Sequence, residues 1–332
     1  MSAFAIGTFV ISKGARKTVE LPISVLANHT PINLPVHVIH GLKKGPVFFI
    51  SGVVHGDEIL GVEIVSRVVQ HPALKTLAGT LLAVPIVNAF GFLNHSRYMP
   101  DRRDLNRSFP GSDHGSLASL LADLFLKEVV LRSQYGIDLH TAALHRSNLP
   151  QIRIAPDEPE LLEMAKSFSP PVILVSKLRD GTLRQCARDH GVKVLLYEAG
   201  EALRFEEMAI ETGVRGILNV MASLNMIAPL KTVSPPKPTA ISLSSTWLRA
   251  PEGGILRSRF GIGASVSRDE IIGEISSPLG DLSVSIIAED DGIIVGRTNL
   301  PIVNRGDALF HVARMQKSDM PQAPMFDEDE II

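Results

Sequence analysis

Three short stretches of the chain carry side chains able to do chemistry together. The first is Val53-Val54-His55-Gly56-Asp57-Glu58. Imidazole nitrogen and carboxylate oxygen are both good zinc donors, and a His and a Glu three apart can converge on one ion. The second is Tyr135-Gly136-Ile137-Asp138-Leu139-His140, where strand alternation puts Asp138 and His140 on one face. The third is Val194-Leu195-Leu196-Tyr197-Glu198, an apolar run ending in a carboxylate and followed by Ala199-Gly200. Two His and one Glu are a known catalytic zinc set that leaves the fourth position for water or substrate. A carboxylate that is not a ligand would take the proton from that water, and Glu198 fits that part. The bland alternatives stay open at this stage. Asp57, Glu58 or Glu198 can simply answer a helix macrodipole. Asp138 either orients a ligand histidine or is a buried, hydrogen-bonded carboxylate.

The flanking residues say what must position these groups. Pro46–Ile50 is an apolar run of the kind that makes a buried parallel strand. After it, apolar residues at 59, 60, 62, 64, 65, 68 and 69 keep helical spacing. His55 therefore leaves the C-terminal end of a strand, which is where open α/β sheets bind ligands. Residues 4–39 read as an antiparallel flank of short strands. A second core strand at 80–87 precedes a long irregular stretch, 89–115, of the sort that is usually functional. Helical periodicity returns at 116–132. Strands at 151–155, 172–176 and 192–197 then alternate with helices at 158–168, 181–190 and 204–226. That alternation predicts a mixed, mostly parallel sheet with helices on both faces over residues 1–230. Ser234-Pro235-Pro236-Lys237-Pro238 reads as a stiff linker. Residues 239–315 form a small all-β domain of β-branched runs broken by Gly, Pro and Asp. The acidic tail, 316–332, reads as disordered.

Composition removes several function classes. The 332 residues carry 33 basic and 35 acidic groups, a net charge of −2, with no dense basic run. Nucleic acid and anionic membrane surfaces are thus poor partners. No apolar run approaches the roughly 18 residues of a membrane span. The single cysteine, Cys186, permits no internal disulfide and fits a reducing compartment, with cytoplasm as the default. It lies mid-helix without an obvious base, so a nucleophilic role is not expected. His95, His114, His145 and His190 read as ordinary loop histidines, and Arg184 and Arg188 as the solvated face of a surface helix.

The catalytic stretches occur in an order that resembles the succinylglutamate desuccinylase/aspartoacylase family, relatives of the zinc carboxypeptidases. The matching pieces are His55-Gly56-Asp57-Glu58, the run Arg97 to Gly111 with Asp104-Leu105-Asn106-Arg107 at its centre, Asp138-Leu139-His140-Thr141, and Glu198-Ala199-Gly200. The resemblance implies a carboxypeptidase-like fold and one Zn2+ per chain, held by His55, Glu58 and His140. It implies Glu198 as general base and proton shuttle. It further implies that Asn106 and Arg107 grip a substrate carboxylate, where Arg offers a bidentate fork. An upstream arginine of the same loop would polarise the scissile carbonyl: Arg97 first, then Arg102, with Arg103 also within reach. Arg146 and Asn148 match the family's loop after the second histidine and can touch substrate. The C-terminal part resembles the family's lipoyl/biotinyl-like barrel-sandwich appendage. No lysine lies between Lys237 and Lys317, so covalent lipoyl or biotin attachment is excluded and a structural or access-limiting role is expected.

The reading that follows is a zinc-dependent amidohydrolase acting on a small N-acylated amino acid or close derivative. A metallocarboxypeptidase acting on peptides is the alternative, and a non-catalytic binding protein a third. A homo-oligomer is compatible with the sequence, which fixes neither the acyl group nor the amine half.

Overall fold

The computed structural model describes residues 2–230 and 238–316. The proline-rich linker at 234–237 and the acidic tail from 317 lie outside the described residues. The frame is one large mixed sheet whose middle strands are apolar enough to be buried on both faces. Lys43–Gly52 runs parallel to Ala78–Val84 on one side and to Tyr135–His140 on the other. Tyr135–His140 is in turn parallel to Lys193–Gly200, which pairs antiparallel with Arg146–Ile154. The antiparallel flank is Arg16–Val25 with Pro31–His40, joined to the sheet through Ala78–Val84. Phe4–Ile6 and Phe9–Ile11 form a separate small hairpin, because Gly7 at φ 52 breaks the expected single strand.

Alternation sends Phe48 and Ile50 to one face and Phe49 to the other, all fully buried. Each such side chain contributes about 1.5–3 kcal/mol. On the first face lie Leu60–Gln70, Pro159–Phe168 and Glu207–Ser223; Leu60, Ile64, Val65 and Val68 of the first helix reach the core at helical spacing. On the second lie Leu117–Phe125, which Ser116 caps, and Leu183–Asp189, which Thr182 caps. The helix read over 116–132 tightens its hydrogen bonding only as far as Phe125 and widens to a π turn at Leu126–Val130.

The C-terminal strands do not stand apart from this sheet. Gly292–Thr298 pairs with Arg146–Ile154, and Ala308–Arg314 and Ser245–Arg249 extend the sheet beyond it. Ala240–Ser242 adds in parallel to Val172–Val175. A second sheet, of Gly254–Ser258, Ile271–Ser276, Ser283–Ile287 and Ile302–Val303, packs over Leu248, Ile294, Leu309 and Phe310. Among the described residues these strands enclose a sandwich core without closing a barrel. No helix among the described residues is long and apolar enough to cross a membrane.

Candidate metal centre and active site

The sheet delivers its chemistry at one edge. Past Gly52 the chain turns at Val53, whose φ of 56 is unusual for a β-branched residue. That turn brings His55 and Glu58 over the ends of the central strands before the helix begins at Leu60. Glu58 thus precedes the helix rather than sitting in its first turn. His140 ends its strand and is in register with Glu198 on the neighbouring strand. Paired residues of a ladder share a face, so the two side chains leave the sheet together.

His55, Glu58 and His140 are all buried, with one donor atom from each within 4.8 Å of the others. Glu58 divides its carboxylate between them: Oε1 lies 2.7 Å from His55 Nδ1 and Oε2 2.7 Å from His140 Nδ1. The remaining nitrogen of each ring is held by a carboxylate. His140 Nε2 is 2.7 Å from Asp138 Oδ2, and Asp138 Oδ1 accepts from Ser51 Oγ at 2.7 Å. His55 Nε2 is 3.2 Å from Asp104 Oδ1. Imidazoles backed in this way by carboxylates are what metal-binding histidines show. The donor set and its supports therefore fit a divalent ion, with His55 Nδ1, His140 Nδ1 and Glu58 as ligands.

Titration agrees with that arrangement. Burial works against a charged His140, yet Asp138 and Glu58 outweigh it and lift the imidazole well above 6.5. Burial likewise opposes a charged His55, and Glu58 and Asp104 raise it too. Burial would raise Glu58, but the two imidazoles hold it far below the usual carboxylate range. Asp104 behaves as Glu58 does, with His55 and Arg97 overriding burial. Three buried groups thus share protons that an ion would displace.

The loop arginines separate clearly. Arg97 Nη1 stands 3.3 Å from Glu58 Oε1, while its Nη2 and Nε donate to Asp104 Oδ2 at 2.9 and 3.2 Å. Arg102 is exposed in the left-handed region within the Met99–Arg103 turn, and Arg103 is exposed beside Asp101. Of the three, among the described residues, Arg97 is the one bonded to the His55–Glu58 pair, and Arg102 stays a candidate substrate contact. Asn106 accepts from Leu183 N through Oδ1 at 2.9 Å, leaving its amide nitrogen for other partners. Arg107 is exposed, with Nη1 2.6 Å from the Asn106 carbonyl. Arg146 is exposed and lies over the Trp247 ring at 5.4 Å, so its observed partner is the C-terminal segment.

Glu198 is held from two sides. Asn148 Nδ2 donates to its Oε2 at 2.9 Å, and Arg153 Nη1 lies 3.7 Å from its Oε1. Gly200 ends the strand at φ 67. Residues 146–148, read as loop, are strand: Asn148 pairs with both Gly200 and Gly296, and Ser147 and Arg146 pair with Arg297 and Thr298. Glu201, the other carboxylate here, accepts from His145 N and Asn299 Nδ2.

Some charged residues beside the candidate site escaped the sequence. Arg184 was expected on a solvated face, but it turns inward toward Ser176. Burial first, then the charge of Arg153, push its guanidinium down to about 10, while Glu198 pulls the other way. Arg188, one turn on, is exposed and pairs with Glu158. Arg153 was missed as well, and Asp104 reads as part of the 104–107 motif without a role. A signal existed: Arg153 is a cation among the buried apolar residues of its strand, and it alternates onto the face of Glu198. Cys186 is buried and its thiol is pushed up by burial, as suits an inert side chain.

Known proteins share both the sequence pattern and the fold. The model of the succinylglutamate desuccinylase/aspartoacylase catalytic domain matches residues 44–224, and the chain belongs to that family. Within reach of pairwise comparison is the N-alpha-acetyl-L-2,4-diaminobutyric acid deacetylase of Halomonas elongata. It is 25% identical over 301 residues, covering 86% of this chain and 87% of that protein. A succinylglutamate desuccinylase/aspartoacylase structure from Rhodobacter sphaeroides superposes with a TM-score of 0.78 at 24% identity, covering 90% and 94% of the two chains. The product-bound ectoine utilization protein EutE (DoeB) of Ruegeria pomeroyi gives 0.79 at 20% identity, covering 91% and 95%.

Proposed function

We propose that the protein is a zinc-dependent deacylase that hydrolyses the amide bond of an N-acylated amino acid or a close derivative. The observation that carries this reading is the His55–Glu58–His140 cluster with a separate carboxylate, Glu198, in register beside His140. The Halomonas elongata relative, a deacetylase of an N-acetylated amino acid, supports the same reaction class. His55, Glu58 and His140 would hold the ion, which when bound supplies Lewis acidity toward a carbonyl and acidifies water.

The chain's own groups account for the remaining work. Arg97, steered by Asp104 and close to Glu58, is placed to meet negative charge developing on the carbonyl oxygen. Glu198 accepts the proton of the attacking water and returns it to the leaving amine. Asn106 and Arg107 lie on the loop that would receive a substrate carboxylate. Arg153 and Arg184 add two inward-facing guanidiniums against the single carboxylate of Glu198. Buried charge of one sign calls for a counter-charge. The substrate half nearest them is therefore better matched by a carboxylate than by an ammonium group. The pairing of Gly292–Thr298 beside the site favours small substrates over the peptides of a carboxypeptidase.

Zinc-loaded protein assayed for amine release over N-acetyl and N-succinyl amino acids, with acidic, neutral and basic side chains, tests this reading. Preference for acidic members is expected. Turnover confined to C-terminal residues of peptides would overturn it.

A further inference from the structure

The C-terminal segment comes up to the partner of Glu198 at Gly296. Gly296 faces Asn148 across the antiparallel ladder, and Asn148 is buried with its Nδ2 donating to Glu198 Oε2 at 2.9 Å. The other oxygen of Glu198 is held more loosely, 3.7 Å from Arg153. The Asn148 amide is thus the short contact that sets how the Glu198 carboxylate is turned. What makes room for that amide is Gly296. A Cβ there would stand 2.9 Å from Asn148 Oδ1 and 3.3 Å from the His311 Cβ. The ladder to Ala308–Arg314 also shifts register between Ile294 and Gly296, and glycine within a strand often marks such a bulge or a close approach.

The same segment is fastened on both sides of this contact. Gln151 Nε2 donates to the Val295 carbonyl at 3.0 Å. Asn299 N donates to the His145 carbonyl at 2.8 Å. Asn299 Nδ2 donates to Ser147 Oγ at 2.8 Å and to Glu201 Oε2 at 3.0 Å. The loop after His140 and the residue after Gly200 are therefore tied to one C-terminal turn.

We propose that Asn148 is a positioning residue for the general base, and that Gly296 of the C-terminal strand supplies the space its amide needs. The C-terminal segment then acts on proton transfer and not solely on access. The proposal rests on the deacylase reading of Glu198. A Cβ at 296 displaces the end of a flexible side chain, so the fold tolerates it while the amide moves.

The test is a set of double variants assayed on N-acetyl amino acids with zinc bound. Asn148→Ala should lower kcat roughly 10- to 100-fold, the cost of a lost hydrogen bond to a charged group, with KM nearly unchanged. Gly296→Ala should lower kcat in the same direction. Adding Gly296→Ala to Asn148→Ala should cost nothing further, because a truncated residue 148 leaves the new methyl room. In a Glu198→Gln background neither change should matter more than about twofold. A merely structural role predicts additive losses in both pairings, and that result overturns the proposal. A second readout does not need turnover: the Asn148 side-chain amide signal in ¹H–¹⁵N spectra, assigned by its loss in Asn148→Ala. It should move in both Glu198→Gln and Gly296→Ala, and an unmoved signal in either refutes the contact. Should the wild-type protein release no amine from any N-acyl amino acid, the deacylase reading falls, and the amide signal alone decides whether Asn148 and Gly296 hold Glu198.

Discussion

Asp104→Asn perturbs the site at three points, because one carboxylate serves three partners. Its Oδ1 meets His55 Nε2 at 3.2 Å and accepts from Asn106 N at 2.8 Å, while Oδ2 takes both contacts from Arg97. Asparagine keeps a carbonyl oxygen for Asn106 N, and Asn caps as well as Asp. The short turn Leu105–Arg107 should therefore survive. What goes is the charge. Loss of a carboxylate behind a ligand histidine typically costs 10- to 100-fold in metal affinity, about 1.4–2.7 kcal/mol. The Arg97 pair adds a second loss. Charge-assisted hydrogen bonds contribute about 1.5–3 kcal/mol, and the low end applies where a side chain stays wet. Arg97 is 31% exposed and Asp104 15%, so the low end is the fair figure. Zinc affinity, read by competition with a chromogenic chelator, should fall at least tenfold, and kcat at saturating zinc should fall as Arg97 loosens. Asp138→Asn sets the scale from the other histidine. Asp138 is only 2% exposed and bonded to both His140 and Ser51, so its loss should be the larger of the two. Zinc affinity within twofold of wild type in a normally folded Asp104→Asn protein would refute the reasoning.

Three further outcomes are expected. Glu198→Gln keeps the shape and replaces no ligand, so zinc content should stay normal while kcat falls roughly 10²–10⁴-fold; loss of zinc would make Glu198 a ligand, and near-normal turnover would pass the role to another residue. Arg107→Lys should act mainly through KM, by about 1–3 kcal/mol, and unchanged kinetics on carboxylate-bearing substrates would remove Arg107 from the site. For metal-free protein, the raised His140 and His55 contribute stability that is complete below 6.5 and is lost as pH climbs through their folded values. The depressed Glu58 and Asp104 contribute above 4.5 and 3.8 and lose that contribution as pH falls through their folded values. The Tm of chelator-treated protein should therefore decline as pH rises past 6.5, while the Tm gained on adding zinc grows over the same window. A gain independent of pH would mean that no imidazole proton is displaced.

The sheet and the metal cluster were legible because they rest on local signals. The apolar runs around Phe48, Ile137 and Leu195 mark buried strands, and the His55/Glu58 spacing and the Asp138/His140 alternation place side chains without reference to anything distant. The misreadings have separate causes. Residues 146–148 look like loop because their strand partners, Gly296 to Thr298, lie about 150 residues away, and nothing near them announces the pairing. Arg184 reads as solvated because a helix of seven residues gives too little periodicity to say which side faces in. Arg97 could not be told from Arg102 by sequence, since the turn at Met99–Arg103 decides which guanidinium reaches Glu58.

The charges gathered at the sheet edge close the argument about metal and substrate together. Glu58, Asp104, Asp138 and Glu198 supply four carboxylates there, and Arg97, Arg153 and Arg184 three guanidiniums. With neutral imidazoles these seven groups sum to one negative charge, and Asp57, buried beside Glu58 with its carboxyl raised by burial, adds to that side when ionised. Without an ion the carboxylates are met by protons on His55 and His140, which they raise. Two protons and a divalent ion carry the same charge, so exchanging them leaves the balance unchanged while both imidazoles stay protonated. The difference opens as pH climbs through the raised imidazole values, where the metal-free site turns negative and the metal-bound site does not. Affinity of the chelator-treated protein for a carboxylate should therefore fall as pH rises past 6.5, with the zinc-loaded protein holding its affinity over the same window, and parallel profiles for the two would refute this balance.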